Sequence, residues 1–252
     1  MRGRFAFVVP VLVVASGVAA WWIAVVVSHS PYFPTPGQVA LGIAELARNG
    51  TLVQHVSASL MRVLVGYVSA AAIAIPLGVL MGWFPAFNTA INPVVQMLRP
   101  ISPIAWIPLA ILWFGVGNMS PIFLIFLASF FPMAVGAASG VSAVEKQYIR
   151  AARNFGITGV RLLRQIVVPA ALPQIIVGMR IGLGIAWLVV VAAEMVAIDS
   201  GLGYLIIDSR NAGNRYDLVV ASMVVIGVIG YVLDTLMRRL DTLEEVRWRY
   251  VR

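Results

Sequence analysis

The sequence predicts an all-α integral membrane protein with about six spanning helices. Three observations carry that prediction. Hydrophobic residues fill 61% of the 252 positions and charged residues only 11%, whereas soluble domains carry about 25% charged residues. Apolar runs near the roughly 20 residues that cross a bilayer recur along the chain. The basic residues are shared unevenly between the segments that join those runs. So little polar side chain cannot solvate a water-exposed surface, which excludes a soluble enzyme, a disordered tail and a nucleic-acid-binding module. The formal net charge of +8 therefore reads as topology, not as affinity for nucleic acid. Cysteine is absent, so disulfides, thiol chemistry and Cys-ligated metal are excluded. The length fits one membrane domain over 1–252 without an appended soluble domain.

The first span is expected at 5–27, behind Arg2 and Arg4. It is longer than a signal-peptide core and lacks a small-residue cleavage site, so it reads as retained. Pro31, Pro34 and Pro36 break the chain, and Gly37 to Leu46 reads as a weakly amphipathic stretch along the outer surface. The second span, 63–84, repeats a small residue every fourth position: Gly66, Ala70, Ala74, Gly78 and Gly82. Such a stripe admits another helix backbone at close range, and Pro76 should kink it. The third span, 87–114, holds Pro93, Pro100, Pro103 and Pro108, which predicts a broken helix buried against protein or a cavity. A turn-rich run, Gly115 to Pro121, separates it from the fourth span, 122–140. The fifth is expected at 171–198 and the sixth at 218–237, with a polar Gly- and Asn-rich loop between them and a charged tail, Arg238 to Arg252, behind.

Six spans place both termini and the 145–165 segment on one side. Arg2, Arg4, Lys146, Arg150, Arg153, Arg161, Arg164, Arg238, Arg239, Arg247, Arg249 and Arg252 fall there, twelve of the 18 basic residues. Arg48, Arg62, Arg210 and Arg215 fall on the other side. The excess puts the termini and that segment in the cytoplasm.

The cytoplasmic segment 145–169 reads as a helix–turn–helix. Val141, Val144, Tyr148, Ala151, Ala152 and Phe155 recur at helical spacing, with Glu145, Lys146, Arg150 and Arg153 largely opposite. Gly156 is the expected left-handed stop. Thr158 can cap a second helix, Val160 to Val168, that ends at Pro169. These residues fit a helix lying on anionic lipid. They also fit a docking element in which Ala151 and Ala152 allow close approach and the arginines meet an acidic rim.

Arg150-Ala151-Ala152, then Gly156, then Ile166-x-Val168-Pro169 resembles the E-A-A-x3-G-x9-I-x-L-P signature of ABC importer permeases. The spacing matches throughout; Arg150 stands where the signature has Glu, and Val168 where it has Leu. Ser59-Leu60-x-Arg62-Val63, Leu98-Arg99-Pro100-Ile101, Ile107-Pro108-Leu109, Trp113-Phe114-Gly115-Val116-Gly117 and Ala193-Glu194-Met195 extend the likeness over nearly the whole chain, towards the nitrate/sulfonate/taurine branch. The resemblance implies a type I ABC importer transmembrane domain in the bacterial inner membrane. It implies a second permease copy, two cytoplasmic ATPase subunits that carry ATP and Mg, and an external solute-binding protein. It also makes Glu145, Tyr148, Arg150, Ala151, Ala152, Arg153, Phe155, Gly156 and Pro169 the ATPase-coupling residues, and the cargo a small oxyanion or organosulfonate such as nitrate, taurine or an alkanesulfonate. No cofactor or metal is implied in this chain. Its only lysine, Lys146, follows Glu145 and not the Gly of a P-loop, so ATP is not bound here in that way.

Charges inside spans are costly, about 2.5–3.5 kcal/mol each on insertion scales, and so draw attention. Arg180, Trp187 and Glu194 lie seven apart on one face of the fifth span. Arg180 and Glu194 are about 21 Å apart along the axis and cannot pair with each other. Either this face borders a translocation path or the charges are structural, Arg180 snorkelling and Glu194 at the interface. Arg99, in the broken third span, either serves an anion path or reaches carbonyls freed by the prolines. Met97, Trp106 and Trp113 are candidates to line or gate the path, against core packing. His29 and His55 read as surface histidines without a metal motif. A secondary transporter or channel working without ATP remains the alternative, although no internal repeat is evident. An intramembrane enzyme has no paired aspartates to work with; Asp234 stands alone at the cytoplasmic end.

Overall fold

Apolar runs fix where the helices lie, and small residues decide which helices meet. The computed structural model describes residues 2–28 and 32–240. Its regular elements are helices α1 (Arg2–Ser28), α2 (Pro36–Arg48), α3 (Thr51–Trp83), α4 (Pro85–Leu98), α5 (Ile107–Phe114), α6 (Met119–Ser142), α7 (Lys146–Asn154), α8 (Gly159–Leu162), α9 (Val168–Ala197), α10 (Leu202–Asn211) and α11 (Tyr216–Leu240). A 3-10 turn, Pro103–Trp106, precedes α5, and a π-helical turn, Leu163–Val167, joins α8 to α9. The expected break at Pro31 and the tail beyond 240, with Arg247, Arg249 and Arg252, lie outside the described residues, as does His29.

Among the described residues, five helices are long and apolar enough to cross a membrane. A sixth crossing exists if Pro85–Leu98 and Pro103–Phe114, bent by 84°, count as one broken span. That bend falls at Arg99 to Ser102, within the proline-rich third span. Each proline there removes a donor and disfavours helix at the residue before it.

The core is α6 held between α3 and α9. A Cβ at Gly66 would stand 2.7 Å from Ile125 Cγ2, and one at Gly82 only 2.6 Å from the Ala138 carbonyl oxygen. Ala70 and Ala74 between them are fully buried, so the small-residue stripe of α3 is the seat of α6. On the other side Gly136 and Gly178 approach backbone to backbone, and a Cβ at Gly178 would lie 2.8 Å from the Pro132 carbonyl oxygen. With no hydrophobic drive between helices in lipid, such close packing is what holds them together. By contrast, the side chains of α1 from Val11 onward are mostly exposed, as a lipid-facing helix requires. The amphipathic stretch after it is α2, started by a capping box in which Gln38 N–H donates to Thr35 Oγ1 and Thr35 N–H to Gln38 Oε1.

Three boundaries differ from expectation. The second span begins at Thr51, not 63, because the polar first turns of α3 find partners inside the protein. Residues 202–211, expected as loop, form α10, whose Leu202, Leu205 and Ile206 are buried. Pro169 does not end the second cytoplasmic helix: α8, the π turn and α9 run on as one apolar segment, Gly159–Val196. Pro169 sits in the first turn of α9, where its missing N–H costs least, directly after the widened π turn.

Candidate functional site

The end of the bundle that carries α7 and α8 is built from one tight turn. Ile157 N–H donates to the Ala152 carbonyl at 3.0 Å and Gly156 N–H to that of Arg153 at 2.9 Å. This is a Schellman closure with Gly156 left-handed, φ +77°. Thr158 takes the N-cap position of α8 in extended backbone but makes no side-chain cap bond. The turn folds α7 down so that Ala152 joins Val141, Val144, Leu162, Val167 and Ala170 in one buried cluster. The apolar face read from the sequence is thereby split. Val141, Val144 and Ala152 point inward, while Tyr148, Ala151 and Phe155 stay outside, Phe155 at 84% exposure and Val160 beside the turn at 79%. Lys146, Arg150, Arg153, Arg161 and Arg164 are all exposed on the same element. Glu145 sits at the N-cap of α7, and its carboxylate accepts from the Gln147 amide.

The bend between α4 and α5 forms with α6 and α9 a half-open pocket of about 270 Å³, at whose side Arg99 is exposed. Of the path candidates, Arg99 alone lines it, together with Ser139, Gln174 and apolar side chains of α6 and α9. Met97 is 71% exposed and does not line it. Trp106 and Trp113 pack against each other, ring centroids 6.4 Å apart, and Trp113 meets Phe123 edge-on at 5.8 Å.

Arg180, Trp187 and Glu194 do share a side of α9, and that side faces other helices. Arg180 donates to Asp234 Oδ1 at 2.8 Å, and Arg238 donates to Asp234 Oδ2 at 2.8 Å, so Asp234 is not alone. Trp187 is buried and its indole donates to the Ile226 carbonyl of α11 at 3.1 Å; Gly230 leaves room for the ring. Glu194 is completely buried, not interfacial. Ser59 Oγ lies 2.8 Å from both its carboxylate oxygens, Arg62 Nη1 donates to Oε1 at 2.8 Å, and Gly203 N–H donates to Oε2 at 3.0 Å. Arg62, only 2% exposed, also donates to Asn118 Oδ1 at 2.8 Å and to the Ser200 carbonyl and hydroxyl at 2.9 and 2.6 Å. His55 is buried too, Nδ1 accepting from Gly201 N–H at 2.9 Å. Gly201, φ +104°, has no room for a Cβ against the Glu194 carboxylate. The knot joins α3, α6, α9 and the loop into α10, and among the described residues no buried polar side-chain atom lacks a partner. Nor do three His, Cys, Asp or Glu side chains gather there to hold a metal.

A bundle of spanning helices with a helix–turn–helix at one end narrows the class, and residues 74–249 decide it by matching the binding-protein-dependent transport system inner membrane component family. The chain belongs to that family. This permease is 38% identical over 230 residues to the taurine transport system permease protein TauC of Escherichia coli, covering 88% of this chain and 82% of that one. It is 34% identical to the nitrate import permease protein NrtB of Synechococcus elongatus, covering 71% and 65% of the two chains. Its fold matches a chain of the inward-facing MetNI methionine ABC transporter with a TM-score of 0.66 at 19% identity, covering 75% of this chain and 94% of that one. The fold is that of a type I ABC importer transmembrane domain, and the permease is a multi-pass membrane protein.

Arg62, expected on the outer side, and His55, expected at the surface, are both buried. The partners of both come from residues more than 50 positions away in the permease. The one available signal was that Ser59 and Arg62 stand on the same helical face, one turn apart. The Arg180–Asp234 pair is different in kind: its side chains are 33% and 38% exposed, so solvent screens it. Asp234→Ala should therefore leave the unfolding midpoint of purified permease nearly unchanged.

Proposed function

We propose that the chain is the permease subunit of an ATP-driven importer that moves a small oxyanion or organosulfonate across the inner membrane by alternating access. The termini and residues 145–169 face the cytoplasm, where the basic residues concentrate. Two copies form the path between them, two ATPase subunits bind ATP and Mg below, and an external binding protein delivers cargo. TauC and NrtB carry taurine and nitrate in their names, and a Bacillus subtilis relative, 32% identical over 250 residues, is assigned to aliphatic sulfonate transport. These names support the cargo class.

One observation carries the coupling role. The exposed apolar group Tyr148, Ala151, Phe155 and Val160, surrounded by arginines, is anchored through Ala152 and Leu162 into the core and runs without a break into α9. A patch of this kind fits the apolar centre and polar rim of a protein interface. The connection gives a rigid lever: displacement of α7 and α8 by closing ATPases is passed directly to the base of α9. Glu145, Arg150 and Arg153 supply the rim, and Pro169 lies where lever and span join.

Gly156→Asp tests this. Nothing lies within 4 Å of a Cβ there, so sterics are tolerable, but φ +77° strains a non-glycine residue and the carboxylate enters the patch. In proteoliposomes holding the full complex, ATP-driven uptake should fall at least tenfold while the permease remains in the membrane. Unchanged uptake refutes the coupling role. Uptake that follows an ion gradient and ignores ATP refutes the importer itself.

A further inference from the structure

A second half-open pocket, of about 380 Å³, lies between α9 and α11. Leu183, Ile185, Leu188, Leu233 and Met237 make its walls apolar, and Arg180 and Asp234 are the charged residues of its lining. Ile181, Gly184 and Leu188 are exposed on one face of α9. Nothing lies within 4 Å of a Cβ at Gly184, so the glycine leaves a notch between two large apolar side chains. The charged part of the groove has an excess of positive charge. Arg180 and Arg238 both donate to Asp234, two guanidiniums on one carboxylate. Arg238 is 62% exposed and spends only its Nε on that bond, so its terminal nitrogens have no partner among the described residues. Asp234 is also the first charge on α11 after Asp217. It stands about 27 Å along the axis from Tyr216, close to the roughly 30 Å thickness of a hydrocarbon core. The groove thus starts at the edge of the hydrocarbon and runs into it, for about 12 Å between Arg180 and Leu188.

From this arrangement we infer that the groove binds an anionic glycerophospholipid, with its phosphate on Arg238 and Arg180 and one acyl chain laid across Gly184. The site is separate from any path for cargo. A phospholipid has the order of parts that the groove has: an anion at the hydrocarbon boundary and a thin apolar chain beyond it. The planar guanidinium of Arg238 can offer both terminal nitrogens to phosphate oxygens. A helix from a second copy fits less well. Helices of this bundle meet along repeated small residues, as α3 and α6 do from Gly66 to Gly82. Here one gap stands between Ile181 and Leu188, enough for a hydrocarbon chain but not for the close approach of a backbone. An acyl chain that leaves bulk lipid for the groove gains no hydrophobic energy, so selectivity rests on the headgroup. One arginine near a membrane surface favours an anionic lipid about fivefold, and Arg180, Asp234 and Arg238 together carry one net positive charge. Phosphatidylglycerol matches that charge, whereas the ammonium of phosphatidylcholine already balances its phosphate.

The test is native mass spectrometry of the permease–ATPase complex, purified in detergent and titrated with dioleoyl-phosphatidylglycerol or dioleoyl-phosphatidylcholine. Wild type should hold one phosphatidylglycerol per permease copy, about fivefold more tightly than phosphatidylcholine. Gly184→Leu fills the notch, where nothing stands against its Cβ, and should weaken phosphatidylglycerol at least tenfold. Arg238→Gln leaves Arg180 balanced by Asp234 and should bring the two lipids to near parity. Arg238→Lys should keep the preference. The inference is overturned if wild type binds both lipids equally, or if Gly184→Leu, still monodisperse with its ATPase, binds phosphatidylglycerol as wild type does. If Gly184→Leu does not assemble, Arg238→Gln decides, and an unchanged preference overturns the inference. Loss of the second permease copy from Gly184→Leu, with the lipid count per copy unchanged, gives the groove to the contact between copies and overturns it too.

Discussion

Glu194→Ala should destabilise the protein by about 3–5 kcal/mol, the usual cost of removing one member of a buried ion pair. The carboxylate it removes is the acceptor for Arg62, Ser59 and the Gly203 N–H together. Arg62, 2% exposed, would keep only the neutral acceptors of Asn118 and Ser200. The double variant Arg62→Met/Glu194→Leu removes both charges and should recover part of the loss. Recovery stays incomplete because the Gly203 N–H remains without its acceptor, and each unsatisfied buried donor costs about 1–3 kcal/mol. Thermal unfolding of the purified protein, followed by loss of the monodisperse peak, gives the ranking. If Glu194→Ala unfolds with wild type, the knot is not what secures this end of the bundle.

Gly78→Ala is the second large effect. The added Cβ would lie 2.7 Å from Ala137 Cβ and closer still to the Ala134 carbonyl oxygen. A carbonyl in a buried helix cannot swing aside as a side chain can, so α3 and α6 must separate. Overpacking usually costs about 1–3 kcal/mol, and a backbone clash places this site at the upper end. Gly17→Ala on α1 is the control, with nothing within 4 Å of its Cβ. Ala is the better helix former by about 1 kcal/mol, so Gly17→Ala should be neutral or mildly stabilising. Equal unfolding temperatures for the two variants would refute α3–α6 contact through this stripe.

What was legible in the sequence follows from interactions that are local or periodic. The Gly66–Gly82 stripe announced a helix seat because its spacing alone puts the small residues on one face. The prolines around Arg99 announced a broken span because each one disables hydrogen bonds of its own turn. Gly156 announced a stop because only the left-handed backbone closes that turn. The spacing of Arg180, Trp187 and Glu194 announced a common side of α9, but not that the side faces α11 and α3. Helical period fixes angle around an axis and leaves the neighbour unnamed. For the same reason α10 was invisible: Leu202, Leu205 and Ile206 are too few to signal a helix until α11 and α9 are there to cover them.

The sequence by itself therefore determined the membrane class, the all-helical fold with its apolar runs and the motif that marks the family. Each depends on composition, periodicity or a short fixed spacing. Only the tertiary structure decided that Glu194 belongs to Arg62, that the cytoplasmic face splits into an anchored half and an exposed half, and that Arg99 is the one path candidate at the pocket beside the broken third span. The physical reason is that the cost of a charge in a membrane protein depends on its surroundings. Arg62, 2% exposed, is tolerable because Glu194, 132 residues further along the chain, stands 2.8 Å away, whereas Arg99 is exposed at the broken span and needs no such partner.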